Sequence, residues 1–258
     1  MTKEARTYTA KYLRHVHGWL AREAAEAIIA LASAQDANGI RGGAAEIGVH
    51  EGRLFILLSL LLHDGDRSLA IDLFDSGQRQ NVDDSGYGTK ERFEKNTRRY
   101  IPRRDICLIE TNSMNVTASD VTSRIGQTRL FSVDGGHTAE IAYHDLCVAT
   151  GSSCPGGLVI VDDYLSAEWP GVTEGVAQFM LERRVDICPV AFVRNKLLLA
   201  IGDGSIYGGI IKGAVATLFG KPCPVVLRSA VKHRLAGSAS WRRVRSTAVG
   251  RLIRRFSQ

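Results

Sequence analysis

The sequence predicts an α/β fold. A mostly parallel sheet of seven strands, with one antiparallel strand, carries helices on both faces and an N-terminal helical cap. Between residues 44 and 202, short apolar runs alternate with longer amphipathic stretches, an order typical of a parallel sheet covered on both sides. The last two apolar runs are joined by only Arg194 and Asn195. That link is too short for a parallel crossover, so these two strands must pair antiparallel.

The individual elements follow from the same alternation. Strands are predicted at residues 44–49, 68–74, 105–110, 130–134, 157–162, 187–193 and 196–201. Helices are predicted between the first six strands, at residues 52–63, 89–100, 116–125, 138–150 and 172–182. Upstream, an alanine-rich stretch with one apolar side predicts a helix over residues 8–34, and a further helix is predicted at residues 210–218. The chain is expected to divide into a helical cap at 1–40, a core domain at 41–205 and a C-terminal extension at 206–258.

Composition excludes several classes of protein. The chain has 258 residues, of which 45% are hydrophobic and 23% charged, a balance that excludes disorder over most of its length. No apolar run reaches the roughly 18 residues needed to span a bilayer, and residues 1–14 lack the apolar segment of a secretory signal. The five cysteines are scattered without CxxC spacing, which argues against a zinc site or a disulfide framework. We therefore expect a cytoplasmic protein with free thiols.

The positive charge is concentrated in the C-terminal tail. The net charge is +6, yet nine of the 33 Lys and Arg residues lie in residues 228–258, which contain no Asp or Glu. Within this tail, residues 241–256 place apolar side chains at helical spacing among the charges, which predicts a basic amphipathic helix. Such a helix would pack its apolar side on the domain, or would bind an anionic membrane at the inner membrane face, nucleic acid or an acidic partner.

Small and acidic residues follow the first three predicted strands, at the edge where parallel sheets bind ligands. Gly48 and Gly52 let the backbone turn sharply after the first strand. Their spacing differs from the GxGxxG of a pyrophosphate loop and suits a nucleoside ligand that ends in an amino acid. After the second strand, Asp72 is the candidate for binding both ribose hydroxyls, with Asp75 as the alternative. After the third strand, Ser113 is a candidate for contact with an adenine edge.

Three acidic residues follow the fourth and fifth strands. If those strands are neighbours, about 4.8 Å apart, Asp134 converges with Asp162 and Asp163. Such carboxylates repel each other unless a cation neutralises them, and all-oxygen ligation suits Mg²⁺. Both Asp162 and Asp163 can be ligands only if the chain turns between them; otherwise one is a ligand and the other caps a loop. His137 lies at the rim of this cleft, either as the base that takes a hydroxyl proton or as the N-cap of the following helix.

The order and spacing of these motifs resemble a known family. The motifs are Glu46-Ile47-Gly48-Val49-His50-Glu51-Gly52, Asp72, Val133-Asp134-Gly135-Gly136-His137 and Gly156-Gly157-Leu158-Val159-Ile160-Val161-Asp162-Asp163-Tyr164, followed by the terminal hairpin. Over residues 40–202 the chain resembles the class I S-adenosylmethionine-dependent methyltransferases. More narrowly, it resembles the branch of macrocin O-methyltransferase-like and cephalosporin-hydroxylase-like bacterial proteins.

The resemblance implies a Rossmann-like sheet and a set of site residues. The turn at 48–52 would hold the methionine part of S-adenosylmethionine. With the candidates above, the expected sets are cofactor-binding Glu46, Gly48, Gly52, Asp72, Ser113 and Asp134; metal-binding Asp134, Asp162 and Asp163; and catalytic His137. One departure is that Val49-His50-Glu51, without the usual middle glycine, separates Gly48 from Gly52.

We therefore expect an S-adenosylmethionine-dependent and Mg²⁺-dependent O-methyltransferase that acts on a hydroxyl of a sugar, glycan or small metabolite. Trp169 and Tyr164 are expected to form an apolar wall for the acceptor, and the polar loop 76–88 to close over it. Two alternatives remain open from the sequence. One is a nucleic-acid methyltransferase led by the basic tail, and the other is a non-catalytic cofactor-binding protein that recruits partners. Pairing of two subunits through the N-terminal helices is also open.

Overall fold

A single sheet organises the protein. The computed structural model describes residues 2–182 and 186–227, and within these residues nine strands lie side by side in the order β3-β2-β1-β4-β5-β7-β6-β9-β8. The strands are β1 (Gly43–Ile47), β2 (Arg67–Asp72), β3 (Asp105–Glu110), β4 (Thr128–Val133), β5 (Ser153–Val161), β6 (Ile187–Val193), β7 (Lys196–Ile201), β8 (Ala214–Leu218) and β9 (Lys221–Val226).

The predicted α/β architecture and its antiparallel hairpin are confirmed. Strands β1 to β5 pair parallel with one another, whereas β7 runs antiparallel between β5 and β6. In register, Ile47 of β1 lies beside Ile71 of β2 and Val133 of β4, and Val133 lies beside Val161 of β5. Four strands therefore end at the same level, and the segments that follow them meet at one edge of the sheet.

Eight α-helices cover both faces of the sheet within the described residues. They are α1 (Thr2–Thr7), α2 (Arg22–Ala37), α3 (Arg53–Leu60), α4 (Phe74–Gly77), α5 (Lys90–Tyr100), α6 (Ala118–Ile125), α7 (Ala139–Ser152) and α8 (Pro170–Glu182). Because side chains alternate along a strand, Ala44 and Leu130 join the apolar core under α2, α3 and α5, while Ala45 and Phe131 join the core under α6, α7 and α8. The buried strands are apolar on both faces, as a doubly covered parallel sheet requires.

The N-terminal region differs from the single helix predicted at residues 8–34. Helix α1 continues into a π-helical turn (Tyr8–Tyr12) and a 3-10 turn (Leu13–His15), and the chain is extended at Val16 before α2 begins. Gly18 has φ +136, a conformation that favours glycine. This break carries the chain from α1 to α2 and brings the segment with Trp19 to the cavity described below.

The helix predicted at residues 210–218 is wrong, because this segment contributes strand β8 to a hairpin with β9. Val215 and Thr217 are β-branched and suit a strand, and the hairpin turns at Phe219 and Gly220, both with positive φ. Two consecutive positive φ values match the turn type whose twist fits a hairpin. Strand β9 pairs parallel with β6, so the hairpin widens the predicted seven-stranded sheet to nine.

Among the described residues, no helix combines the length and the apolar character needed to cross a membrane. The basic amphipathic helix predicted at residues 241–256 lies outside the described residues.

Candidate active site

One cavity of about 400 Å³ opens at the carboxyl ends of β1, β2, β4 and β5. This is the edge at which open α/β sheets bind ligands. Its walls come from the turn after β1, the end of β2, the segments after β3, β4 and β5, the loop 80–86 and the N-terminal segment at Trp19.

The turn after β1 is packed so closely that Gly48 must lack a side chain. Its φ is +81, and a Cβ there would overlap the carbonyl oxygen of Asp134. Gly52 also has a positive φ, +88, but its Cβ position faces the ring of Phe93 at 3.1 Å. Gly48 therefore lines the cavity, whereas Gly52 starts α3 and packs against α5.

Asp72 ends β2 with its carboxylate at the cavity wall. One oxygen accepts from the backbone N–H of Phe74 at 2.8 Å and the other from that of His50 at 2.9 Å. Burial raises the pKa of Asp72, and these backbone donors oppose the rise. The alternative, Asp75, is exposed, accepts from the backbone N–H of Lys90 at 3.1 Å and is absent from the cavity wall.

Ser113 lines the cavity after β3, with Thr111 and Asn112. Its hydroxyl donates to the buried carboxylate of Asp145 at 3.2 Å, which leaves the hydroxyl oxygen as an acceptor. Burial raises the pKa of Asp145. Ser113 is thus fixed in place at the wall where an adenine edge was predicted to lie.

Glu46 lies beneath the cavity and does not line it. The residue is 2% exposed, and within the part of the chain that the structure describes its Oε2 has no hydrogen-bond partner. Burial raises the pKa of Glu46 well above its usual range, and the nearby Lys196 ammonium opposes this rise. A neutral Glu46 carboxyl is the state that burial favours.

The two acidic residues after β5 have different environments. Asp162 is buried and forms an ion pair with the buried ammonium of Lys196. One Asp162 oxygen also accepts from the Asn195 side-chain amide and from the backbone N–H of Asp163, both at 2.8 Å. Asp163 has φ +51, so the chain turns between the two residues, as joint ligation would require. The contacts nevertheless satisfy the Asp162 carboxylate internally.

Asp134, His137 and Asp163 converge at the cavity. Each offers one ligand-type atom, and these three atoms lie within 4.8 Å of one another. Burial raises the pKa of Asp134 well above its usual range, and the Asp162 carboxylate adds to the rise. By contrast, the neighbouring His137 ring and the Asn195 side-chain amide overcome burial and lower the pKa of Asp163. The two carboxylates offer oxygen donors of the kind that a hard divalent cation takes.

His137 is held on several sides. Its Nδ1 lies 2.7 Å from an Asp83 oxygen, its Nε2 lies 3.5 Å from an Asp163 oxygen, and the Trp169 ring stacks on it with centroids 4.2 Å apart. Burial disfavours the charged ring, but the nearby carboxylates of Asp163 and Asp83 prevail and raise the pKa of His137. The N-cap of α7 is Thr138, whose hydroxyl accepts from the third residue along, so His137 is not the helix cap.

Sequence reasoning missed Asp83 and Lys196 as parts of this site. Asp83 belongs to the polar loop that was predicted at the mouth of the sheet, but nothing in that loop singles it out. Lys196 sits in β7 among apolar residues, and a lysine inside an apolar strand is a signal for a buried ion pair. The expected apolar wall holds only in part: Trp169 lines the cavity, whereas Tyr164 is buried in the core against Phe192.

Residues 45–164 match a family model described as a methyltransferase domain. This range includes every residue that the sequence predicted to bind cofactor or metal or to act as the base. With the sheet topology above, the match supports an S-adenosylmethionine-dependent methyltransferase. No curated protein matches the sequence closely enough to count as a relative.

Solved structures share the fold at low sequence identity. The O-methyltransferase NovP superimposes with a TM-score of 0.56 and 18% identity, over 69% of this chain and 79% of that one. CalS11, a TDP-rhamnose 3'-O-methyltransferase of calicheamicin biosynthesis, gives 0.51 and 14%, over 78% and 93%. An O-methyltransferase from Bacillus cereus in complex with SAH gives 0.50 and 14%, over 78% and 90%. At these identities the likeness concerns the fold.

Proposed function

We propose that this protein transfers a methyl group from S-adenosylmethionine to a hydroxyl of a sugar or small metabolite, with a divalent cation, Mg²⁺ by preference, at the acceptor site. The observation that carries the proposal is the convergence of Asp134, His137 and Asp163 in the same cavity that Gly48 and Asp72 line. The order of the sequence motifs also supports membership of the macrocin O-methyltransferase-like and cephalosporin-hydroxylase-like branch.

The cofactor half of the cavity is assigned to residues after β1, β2 and β3. The close packing at Gly48 leaves backbone at the wall, where the amino-acid end of the cofactor can approach. The Asp72 carboxylate lines the cavity with the acceptor capacity of about four lone-pair sites, and the backbone N–H groups of His50 and Phe74 fix its orientation. That capacity suits a pair of ribose hydroxyls. When bound, S-adenosylmethionine supplies the electrophilic methyl group.

The cation is assigned to Asp134 and Asp163. These carboxylates face each other across the end of β4 and β5, and two like charges at such short range are stabilised by a cation between them. Asp162 also lines the cavity and stays a candidate ligand. Its ion pair with Lys196 favours a structural role at the base of the cation site over direct ligation. When bound, the cation would polarise an acceptor hydroxyl and lower its pKa.

His137 is assigned as the base that removes the hydroxyl proton. Its Nε2 lies on the side of Asp163, next to the proposed cation ligands. The carboxylates on both sides of the ring stabilise the imidazolium that forms after proton transfer. Positioning supplies much of the remaining acceleration, because the oxygen must approach the methyl group in line at about 3 to 3.5 Å.

The acceptor side of the cavity combines aromatic and polar groups. Trp169 stacks on His137 at the wall, and Glu168 and Asn195 lie beside it. An aromatic face with nearby hydrogen-bonding groups suits a sugar ring or a phenol. The TDP-rhamnose specificity of CalS11 agrees with the sugar alternative.

Calorimetry with S-adenosylhomocysteine and turnover with radiolabelled S-adenosylmethionine test the proposal. The acceptors are catechol and TDP-rhamnose, each assayed with Mg²⁺ and with EDTA, and the products are identified as methyl ethers by mass spectrometry. We expect micromolar cofactor affinity and EDTA-sensitive turnover. Asp134→Asn should lose about 10²- to 10⁴-fold in turnover, while the exposed Asp64→Asn should match the wild type. Absence of cofactor binding would refute the assignment, and undiminished turnover in EDTA would remove the cation.

A further inference from the structure

The loop at residues 81–86 inserts one carboxylate into the candidate active site. Within the loop, Asp83 Oδ1 accepts from the hydroxyl of Ser85 at 2.6 Å and from the backbone N–H of Ser85 at 3.2 Å. These bonds use one Asp83 oxygen and leave the other directed at His137. The orientation of the Asp83 carboxylate is therefore held by its own loop as well as by the contact with His137.

The second Asp83 oxygen makes two contacts with one residue. It accepts from the backbone N–H of His137 at 2.8 Å and lies 2.7 Å from the ring Nδ1. A carboxylate oxygen can only accept, so the 2.7 Å contact places a proton on Nδ1. The contact of Nε2 with the Asp163 carboxylate is 3.5 Å, longer than an ordinary hydrogen bond, so Nδ1 is the nitrogen that keeps the proton in the neutral ring.

The proton on Nδ1 decides what the other ring nitrogen can do. A neutral imidazole carries one N–H and one lone pair, so an Nδ1–H tautomer leaves the lone pair on Nε2. Nε2 is the atom that lies 3.5 Å from Asp163, on the side of the proposed acceptor. Stacking against Trp169 at 19° between ring planes keeps the ring in this orientation.

We propose that Asp83 is a positioning residue for the methyl transfer, which fixes the tautomer and orientation of His137 so that the Nε2 lone pair faces the acceptor hydroxyl. The same logic orients the histidine of a serine-protease triad through an aspartate. Because Asp83 sits on the loop over the cavity, the base is complete only when this loop is docked. The inference rests on the proposed function for its catalytic consequence, but the tautomer itself can be measured independently.

Nitrogen NMR on the full chain tests the tautomer without cofactor or acceptor. Long-range proton–nitrogen spectra of ¹⁵N-labelled protein are recorded at alkaline pH, and the His137 signals are assigned by their loss in His137→Gln. We expect the Nδ1–H tautomer in the wild type. Asp83→Asn should lose this preference, because its amide can donate as well as accept, and Asp83→Glu should restore part of it. The matched control is Asp84→Asn, since Asp84 is exposed in the same loop and bonds Tyr87.

Kinetics then test the catalytic consequence with the better of the two acceptors above. Asp83→Asn should lower kcat by about 10- to 100-fold, part of the contribution of a general base, with an unchanged KM for S-adenosylmethionine and unchanged calorimetric affinity for S-adenosylhomocysteine. An Nε2–H tautomer in the wild type, a tautomer unaffected by Asp83→Asn, or an unchanged kcat would each overturn the inference. Absence of cofactor binding by the wild type would instead refute the proposed function, and the tautomer result would stand.

Discussion

Replacing the buried lysine beneath the cavity should destabilise the protein strongly. Lys196 is 1% exposed, and its ion-pair partner Asp162 is 4% exposed. Burial lowers the pKa of Lys196, but Asp162 and Asp134 prevail and raise it. The ammonium is therefore charged when folded. In Lys196→Met the side-chain length is kept and the charge is lost, which leaves buried carboxylates without their cation.

The expected loss in the free energy of unfolding is about 4 kcal/mol, the middle of the range for removing one partner of a buried ion pair. With a denaturant slope near 3 kcal/mol/M, a value at the upper end for urea, the urea midpoint would fall by about 1.3 M. The exposed Lys90, which pairs with Glu110, provides the matched control, and Lys90→Met should leave the midpoint almost unchanged.

A double variant separates the lost ion pair from lost packing. Lys196→Met combined with Asp162→Asn removes both charges and keeps the acceptor oxygen that Asn195 contacts. Because replacing both partners of a buried pair is often neutral, the double variant should regain more than half of the stability. Urea unfolding followed by tryptophan fluorescence measures all four proteins. A loss below about 1 kcal/mol in Lys196→Met, well under the range for a broken buried pair, would refute this reasoning.

Three further predictions concern other carboxyl groups. Asp36→Asn should lower the free energy of unfolding in urea by about 3 kcal/mol, because the guanidinium of Arg129 is fully buried against Asp36 and would lose its carboxylate partner. An unchanged urea midpoint would contradict this. Glu46→Gln should flatten the pH dependence of stability. Because burial raises the pKa of Glu46, the folded state keeps a proton that the unfolded state loses, and wild-type stability falls as pH rises through that raised pKa. Identical urea midpoints for variant and wild type across pH 5 to 9 would contradict the predicted flattening. Asp72→Ala should weaken S-adenosylhomocysteine binding by about 10- to 100-fold, the effect of losing hydrogen bonds to a charged group, with Asp75→Ala as the control in calorimetry.

Much of the sheet could be predicted because periodicity is a local property of the chain. The alternation between residues 44 and 202 specified the strands and the helices between them, and the two-residue link at Arg194 and Asn195 required the hairpin. The helix caps are local as well, as Thr89 and Thr138 show by accepting from the backbone three residues ahead. The break in the N-terminal helix and the hairpin at 214–226 were missed, although Gly18 marks the first and the β-branched Val215 and Thr217 favour a strand in the second.

The location of the candidate site could be predicted from the sequence, but the hydrogen-bond and ion-pair partners of its residues could not. That Asp134 and Asp163 meet follows from the neighbouring β4 and β5, since parallel strands bring their carboxyl ends to one edge. Both Asp162 and Asp163 line the cavity, but the carboxylate of Asp162 is engaged by the ammonium of Lys196, 34 residues away in the sequence. The contact between Asp83 and His137 spans 54 residues and has no sequence pattern.

The sequence by itself determined the fold class, the edge of the sheet that forms the site and the residue types that line it. These properties depend on short-range patterns of apolar, small and acidic residues. The tertiary structure decided the role of each group, because hydrogen bonds and ion pairs depend on distances of a few ångströms between segments that only the folded chain brings together. The different environments of Asp162 and Asp163, adjacent in sequence, are the clearest instance.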